Sequence, residues 1–495
     1  MGDVLPFGVG IGLVCLALLV AIASSRLGER TGVPTPALFL VVAAVASDLV
    51  PALVPRDIEA VQRVVTVALV LILFNGGMDI GWRRFRRNAV AIVWIGVAGT
   101  AVTAVALAAL AHYLLGFDWM LALLLGTALS PTDPAVVFSV LGRREIAGRS
   151  GTLLEGESGA NDPVGIALML VLLSVAQAGS GSGLGHEVLS GVGEFALEMG
   201  VGGVVGGLGG VAMVWLMRRV ALPAESLYPI GMMAAAGVVY GVATAAHGSG
   251  YLAVFVAGIV AGDARAPYKQ QIERFHSALA SLAEMTAFVA LGLTVTLGSL
   301  LHEWAWLKGL ALAVLLAFVV RPLLVGALLL PLRLRRAERV FVMMAGLKGA
   351  VPVLLGTYIL TSGQAHAELA YDVVFVVVLF SVVVQGGLVP AMTRWLRLPV
   401  HVREPEPWSL GLRVETEPEG VRRWTVVPGS VADGSSIDDL SLGENVWISL
   451  VERDGRLLQV RGETELQAGD GVVALVEPRE SAAVARLFCE TAVPE

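Results

Sequence analysis

Apolar stretches of about 20 residues recur along this chain from Pro6 to Trp395. Each is long enough to cross a hydrocarbon core of ~30 Å. Lipid offers no partner to a backbone N–H or C=O, so a spanning segment is a helix or part of a closed barrel. The runs are continuous and do not alternate, which selects helices. Of the 495 residues 56% are hydrophobic and only 15% charged, against about 25% charged in soluble domains. The expected class is an all-α polytopic membrane protein.

Thirteen spans are expected, centred near residues 15, 42, 71, 100, 130, 163, 204, 235, 256, 286, 318, 349 and 383. The first run, "LPFGVGIGLVCLALLVAIAS", lacks a basic leading region and is read as a span, not a cleaved signal peptide. Alternate loops are rich in arginine ("RLGER", "WRRFRR", "GRREIAGR", "MRRV", "RLRRAER"), whereas "HYLLGFDW", "AAHGSG" and "TSGQAHAE" carry none. Positive charge marks the cytoplasmic side, which predicts the N-terminus outside and the C-terminus in the cytoplasm of a bacterial-type inner membrane. The loop "VPRDIEAVQR" breaks the pattern, Arg56 and Arg63 being offset by Asp57 and Glu59. The glycine run "GVGGVVGGLGG" reads as close helix packing rather than a dinucleotide loop.

After Val400 the texture changes to short β-rich runs broken by Gly, Asp and Asn. Residues 401–412 read as a linker and 413–490 as a small cytosolic α+β domain, with a hairpin around Asp454-Gly455 and a short closing helix. Residues 401–495 hold nine Arg against eighteen Asp and Glu, a balance that argues against nucleic acid as a partner. Cys15 and Cys489 are the only cysteines, so neither a disulfide framework nor a cysteine-rich metal site is available.

Several charges sit where a span should be greasy. Asp133 in span 5, Asp162 in span 6, Arg321 in span 11 and Lys348 in span 12 each lie nine to eleven residues from the cytoplasmic end of their span. At ~1.5 Å per residue they share one depth, roughly 14–17 Å in. Each costs at least ~2.5–3.5 kcal/mol at a helix centre, so a function is the default reading; a structural salt-bridge layer is the plainer one. Pro131 and Pro134 bracket Thr132 and Asp133, Pro163 follows Asp162, and "GLKGAVP" (346–352) clusters Gly346, Gly349 and Pro352. These predict two broken helices, seven apart in the count, as in two inverted repeats; paired interruptions of this kind point to a transporter's binding site. Thr132, Asp133, Ser158 and Asp162, with free carbonyls, offer the hard oxygen ligands of a small cation or a proton in its place. Glu155 reads either as an entrance residue or as a plain interfacial acid. Glu284, about ten residues deep, reads either as half of a structural ion pair with Lys348 or Arg321 or as an accessory acid of the site. His112, His186, His247, His302 and His366 read as solvated loop residues.

The segments "LFNGGM" (73–78), "SPTDPAVVFSVL" (130–141), "ESGANDP" (157–163), "HGSGYLAVFVAGIVAG" (247–262), "FVVRPL" (318–323) and "GLKGAVP" resemble, in order, the motifs of the NhaP-type monovalent cation/proton antiporters, in the potassium/proton branch. The tail resembles the TrkA-C type regulatory module. The resemblance implies that Asn161 and Asp162 form the site pair, with Asp162 the shared proton and cation carrier, that Thr132, Asp133 and Ser158 add cation contacts, and that Glu157 pairs with Arg321. It further implies a homodimer, one-for-one exchange, a small ligand on the tail, and no cofactor beyond the transported K+ or Na+ and H+. Lys348 stands where the family usually has Arg, and Asn75 where close relatives often have an acid, which puts a contribution from span 3 in question. A Na+/H+ antiporter of the same fold and, further off, a tail-gated cation channel are the rival readings. No nucleophile–base pair shares the buried depth, so an enzyme is not expected.

Overall fold

The computed structural model describes Leu19, residues 34–402 and residues 420–489, apart from 142–143, 147–148, 179–183 and the single positions 265, 333, 399, 441, 444, 455 and 478. The expected first span, Leu19 apart, therefore lies outside the described residues, as does most of the expected linker. The chain divides into two compact units, residues 1–409 and 410–495.

The larger unit is helical. Helix α1 spans Thr35–Leu49 and α2 spans Ile58–Val93, with a bend at Gly81 (φ 65°). A π-helical segment, Trp94–Gly99, leads into α3 (Thr100–Leu115). Next come α4 (Trp119–Ala128), α5 (Ala135–Leu141), a short strand β1 (Arg144–Ile146) and α6 (Arg149–Ala178). Helices α7 (Leu184–Arg219), α8 (Leu227–Ala245), α9 (Gly250–Gly262) and α10 (Lys269–Gly292) follow. Then α11 (Ala305–Leu315) passes through a π segment, Leu316–Val320, into α12 (Arg321–Leu328). After α13 (Arg336–Met344) and α14 (Ala350–Leu360), α15 (Ala367–Phe380) runs through a third π segment, Ser381–Gln385, into α16 (Gly386–Trp395). Strand β2 (Val400–Val402) pairs antiparallel with β1, Glu145 opposite His401.

Among the described residues seven helical stretches are long and apolar enough to cross a membrane, and four more are apolar but shorter. The expected spans 2 to 13 all carry helix. Spans 3 and 4 follow one another closely: the chain kinks at Gly81, whose φ 65° and ψ 162° lie outside the helical region, and is helical on both sides of it. Spans 5 and 12 are each two short helices, as their prolines and glycines require.

Small residues set the helix spacing. Along α7 a Cβ at Gly202, Gly206 or Gly210 would run into the α9 backbone at Ser249, Ala253 and Ala257 respectively. The glycine run is a packing stripe at intervals of four, the geometry that lets two backbones touch in a membrane. The other side of α9 meets α2 in the same way, Gly258 against Phe74 and Gly77.

In the smaller unit, β3 (Val421–Thr425), β4 (Val446–Arg453), β5 (Arg456–Leu458) and β6 (Gly471–Val476) form an antiparallel sheet of order β3-β6-β4-β5. Helix α17 (Ser481–Cys489) closes the chain. Its Phe488 is buried with Val451, Val472 and Ala474, and stacks on Trp424 at 5.4 Å between ring centres. Strands β4 and β5 form the expected hairpin, with Asp454 at φ 50° in its turn.

A candidate ion site where two broken helices cross

Between α4 and α5 the chain is non-helical over residues 129–134, and between α13 and α14 over 345–349. The two unwound stretches lie against each other. Asp133 N donates to Leu347 O at 2.8 Å, and Lys348 Nζ donates to Ser130 O at 3.0 Å and Pro131 O at 2.8 Å. Only glycine fits at the close approaches: a Cβ on Gly349 would collide with the Asp133 carboxylate, and one on Gly346 with the Arg321 guanidinium.

Unwinding a helix frees its terminal polar groups, and buried ones must find partners. At the C-terminus of α13 every one of the last four carbonyls is satisfied. Ala345 N bonds Phe341 O, Arg321 Nη2 bonds Val342 O at 3.4 Å, Arg321 Nε bonds Met343 O at 3.0 Å, and Gln385 Nε2 bonds Met344 O at 3.2 Å. The carbonyls past the end of α4 take Lys348. Both cations thus sit at helix C-termini, where the peptide dipoles favour positive charge. Asp133 does the converse. Its Oδ1 accepts from Ala135 N at 2.8 Å at the start of α5, and its carboxylate lies against Gly349, the residue before α14.

Helix α6 supplies the rest. Asn161 Nδ2 donates to Thr132 Oγ1 at 2.8 Å, and Asn161 Oδ1 accepts from Thr132 N at 3.4 Å. Glu157 Oε1 meets Arg321 Nη2 at 2.7 Å, with both side chains about 97% buried. Ser158 and Asp162, one turn apart on α6, are buried, and Asp162 Oδ1 accepts no hydrogen bond from the described residues. Asp162 lies in the field of both Asp133, which repels it, and Lys348, which attracts it. Thr132, Asp133, Asn161, Asp162 and Lys348 are therefore brought together, with Ser158 beside Asp162.

Other expected residues are not. Lys348 Nζ bonds two carbonyls and Arg321 bonds Glu157 and carbonyls, and among the described residues neither forms an ion pair with Glu284. Its Oε1 is buried without a hydrogen bond, and Asp133 is the charge that acts on it. Asn75 on α2 donates to Asp79 Oδ2 at 2.8 Å, one turn away on its own helix, and does not join the crossing. Glu155 approaches Arg84 at 4.0 Å. His112 is half-buried, stacked on Trp119 with its Nδ1 2.7 Å from Phe117 O, and is not a solvated loop residue. Among the described residues no group of three or more His, Cys, Asp or Glu could hold a metal ion.

Two residues at the crossing carry no motif. Ser381 Oγ accepts from Lys348 N at 2.9 Å and donates to Gln385 Oε1 at 2.9 Å. The signal in the sequence is slight: Ser381 and Gln385 are polar residues four apart in the apolar run "VVFVVVLFSVVVQGGLV".

Residues 14–395 match the profile of the sodium/hydrogen exchanger transmembrane domain. The chain belongs to the sodium/hydrogen exchanger family. Residues 421–488 of this exchanger match the TrkA-C domain. It is 31% identical over 468 residues to a K(+)/H(+) antiporter NhaP of Alkalimonas amylolytica, covering 94% of this chain and 80% of that one. It is 30% identical over 484 residues to a K(+)/H(+) antiporter NhaP2 of Shewanella oneidensis, covering 96% and 82%. Its fold matches the sodium proton antiporter MjNhaP1 of Methanocaldococcus jannaschii with a TM-score of 0.65 at 22% identity, over 77% of this chain and 99% of that one. It is thus a multi-pass membrane transporter of this family, with a small TrkA-C domain after the membrane unit.

Proposed function

We propose that this exchanger moves K+ against H+ by alternating access, with Asp162 as the carrier of either ion and Thr132, Asp133 and Ser158 as further cation ligands. The carrying observation is Asp162 itself. A buried carboxylate oxygen with no donor is costly unless a proton or a cation meets it. Competition of the two for one carboxylate couples their fluxes. The hard oxygen set suits an alkali cation, and the names of the NhaP and NhaP2 relatives favour K+ over Na+.

In this reading Glu157 and Arg321 cancel, and Lys348 offsets one of Asp133 and Asp162, so one H+ or one K+ neutralises the site. The chain would act as a homodimer in a bacterial cell membrane, N-terminus outside, with the TrkA-C domain in the cytoplasm under the control of a small ligand. Asp162→Asn keeps the shape and removes the titratable charge. In everted vesicles with a panel of Li+, Na+, K+ and Rb+, it is expected to abolish cation-dependent dissipation of a pH gradient. Substantial exchange by that variant would refute the mechanism, and a wild-type preference for Na+ would replace K+ with Na+.

A further inference from the structure

The first broken helix is held from the helix that follows it: Asn161 on α6 grips Thr132, 29 residues back in the chain. The second broken helix is also held from the helix that follows it. Ser381 receives Lys348 N–H from 33 residues away, and Gln385 reaches Met344 O. The bonds link into a chain: Lys348 N–H to the Ser381 hydroxyl, that hydroxyl to the Gln385 carbonyl, and the Gln385 amide to Met344. They fasten both ends of the unwound stretch 345–349. Met344 is the last residue of α13, and Lys348 lies two residues before α14.

This is not how a hydroxyl in a helix ordinarily behaves. Such hydroxyls usually bond a carbonyl one turn back, as Ser139 does to Val136 and Thr286 to Leu282. Ser381 sends its proton to Gln385 instead, which leaves its lone pairs for Lys348. Both residues are buried, and they bound a π-helical turn, a conformation found mostly as single turns at functional sites.

We infer that Ser381 and Gln385 are the positioning pair of the second repeat, the counterpart of Asn161 in the first. They fix residue 348, and with it the ammonium on Ser130 O and Pro131 O, and so set the affinity of the site for its cation. The effect on affinity rests on the antiport reading; the clamp on residues 345–349 does not.

Two measurements on the full chain separate these. In hydrogen–deuterium exchange, Ser381→Ala is expected to speed exchange of the Lys348 amide by about tenfold, the factor carried by one buried bond lost. In proteoliposomes loaded with KCl, the same variant is expected to raise the KM for K+ by about tenfold, with the maximal rate changed less. Ser381→Thr, which keeps the hydroxyl, should restore both. Wild-type protection and wild-type KM in Ser381→Ala, or failure of Ser381→Thr to rescue, would overturn the proposal. If Ser381→Ala does not fold, Gln385→Met is read in the same two assays, and wild-type values there would overturn it equally. A wild-type protein that exchanges no monovalent cation would defeat the antiport reading and leave the deuterium result standing.

Discussion

At the scale of single residues, chemistry at the crossing is divided between groups that hold and groups that carry. Arg321 holds. It binds Glu157 and two carbonyls of α13 with no exposed surface to spare. Removing one member of a buried pair strands the other, at about 3–5 kcal/mol. Arg321→Ala is therefore expected to lower the melting temperature and folded yield of detergent-purified protein together with activity. An unchanged melting temperature with altered cation affinity would move Arg321 among the carriers. Gly349 holds in another way, by leaving room for the Asp133 carboxylate. Gly349→Ala is expected to cost at least tenfold in exchange rate while Gly203→Ala, facing open space on α7, costs nothing measurable in the same vesicle assay. The depth of the charges was legible in the sequence because each ionisable group in a span is expensive and its distance from a loop can be counted. The choice of partner was not. Glu284 shares the depth of Lys348, yet the cation turns to carbonyls that helix breaking exposes, and no residue count reveals which carbonyls those are. Ser381 and Gln385 were missed for the same reason, since their partners are backbone atoms of a distant unwound stretch.

At the scale of elements, prolines and glycines announced the two breaks, and the glycine stripe on α7 announced a close helix contact, though not that its partner is α9. The break between spans 3 and 4 was legible in part: "WRRFRR" reads as a loop, whereas the chain kinks at Gly81 and is helical through those arginines. In the smaller unit the hairpin was legible from Asp454-Gly455, but the strut beside it was not. Arg453 on β4 donates to both oxygens of Asp470, at 2.8 and 2.7 Å, and Gln467 N adds a third bond. Burial works to raise the Asp470 carboxyl; the bonds and charge of Arg453 outweigh it and hold the group below the ordinary carboxylate value. A lowered folded-state pKa contributes stability that is present above the unfolded value of about 3.9 and is lost as pH falls through the folded value. Unfolding of the TrkA-C unit, followed by Trp424 and Trp447 fluorescence, should thus grow easier with acidification below about pH 4. Asp470→Asn should cost about 2 kcal/mol at neutral pH and flatten that acid limb. A variant with the wild-type acid limb would assign it to other carboxylates.

At the scale of the whole molecule, two separable units raise the question of what each contributes. Charge at the crossing predicts that the membrane unit exchanges one ion for one ion, so the rate in liposomes should not follow an imposed membrane potential. Voltage-dependent exchange would bring Glu284 into the count as a further ionised acid. The other unit is expected to regulate, since among the described residues it has a hydrophobic core of its own. Where the chain is cut decides whether this can be tested. A cut after Val400 would look natural from the change in texture there, but β2 continues to Val402 and pairs with β1. Strand β1 lies between α5, which follows Asp133, and α6, which carries Asp162. Removing His401 and Val402 would take away the partners of Glu145 and Arg144 in the connection between the two halves of the site. A chain ending at Ser409, where the compact membrane unit ends, keeps that pairing. It is expected to retain cation/proton exchange and to lose the regulatory shift in its pH or ligand dependence, an effect typically worth ~1–3 kcal/mol, or about 5- to 150-fold. A chain ending at Val400 is expected to be the slower and less stable of the two. If the Ser409 form folds and inserts yet is silent at every pH tested, the TrkA-C unit is part of the transport cycle and not a regulator of it.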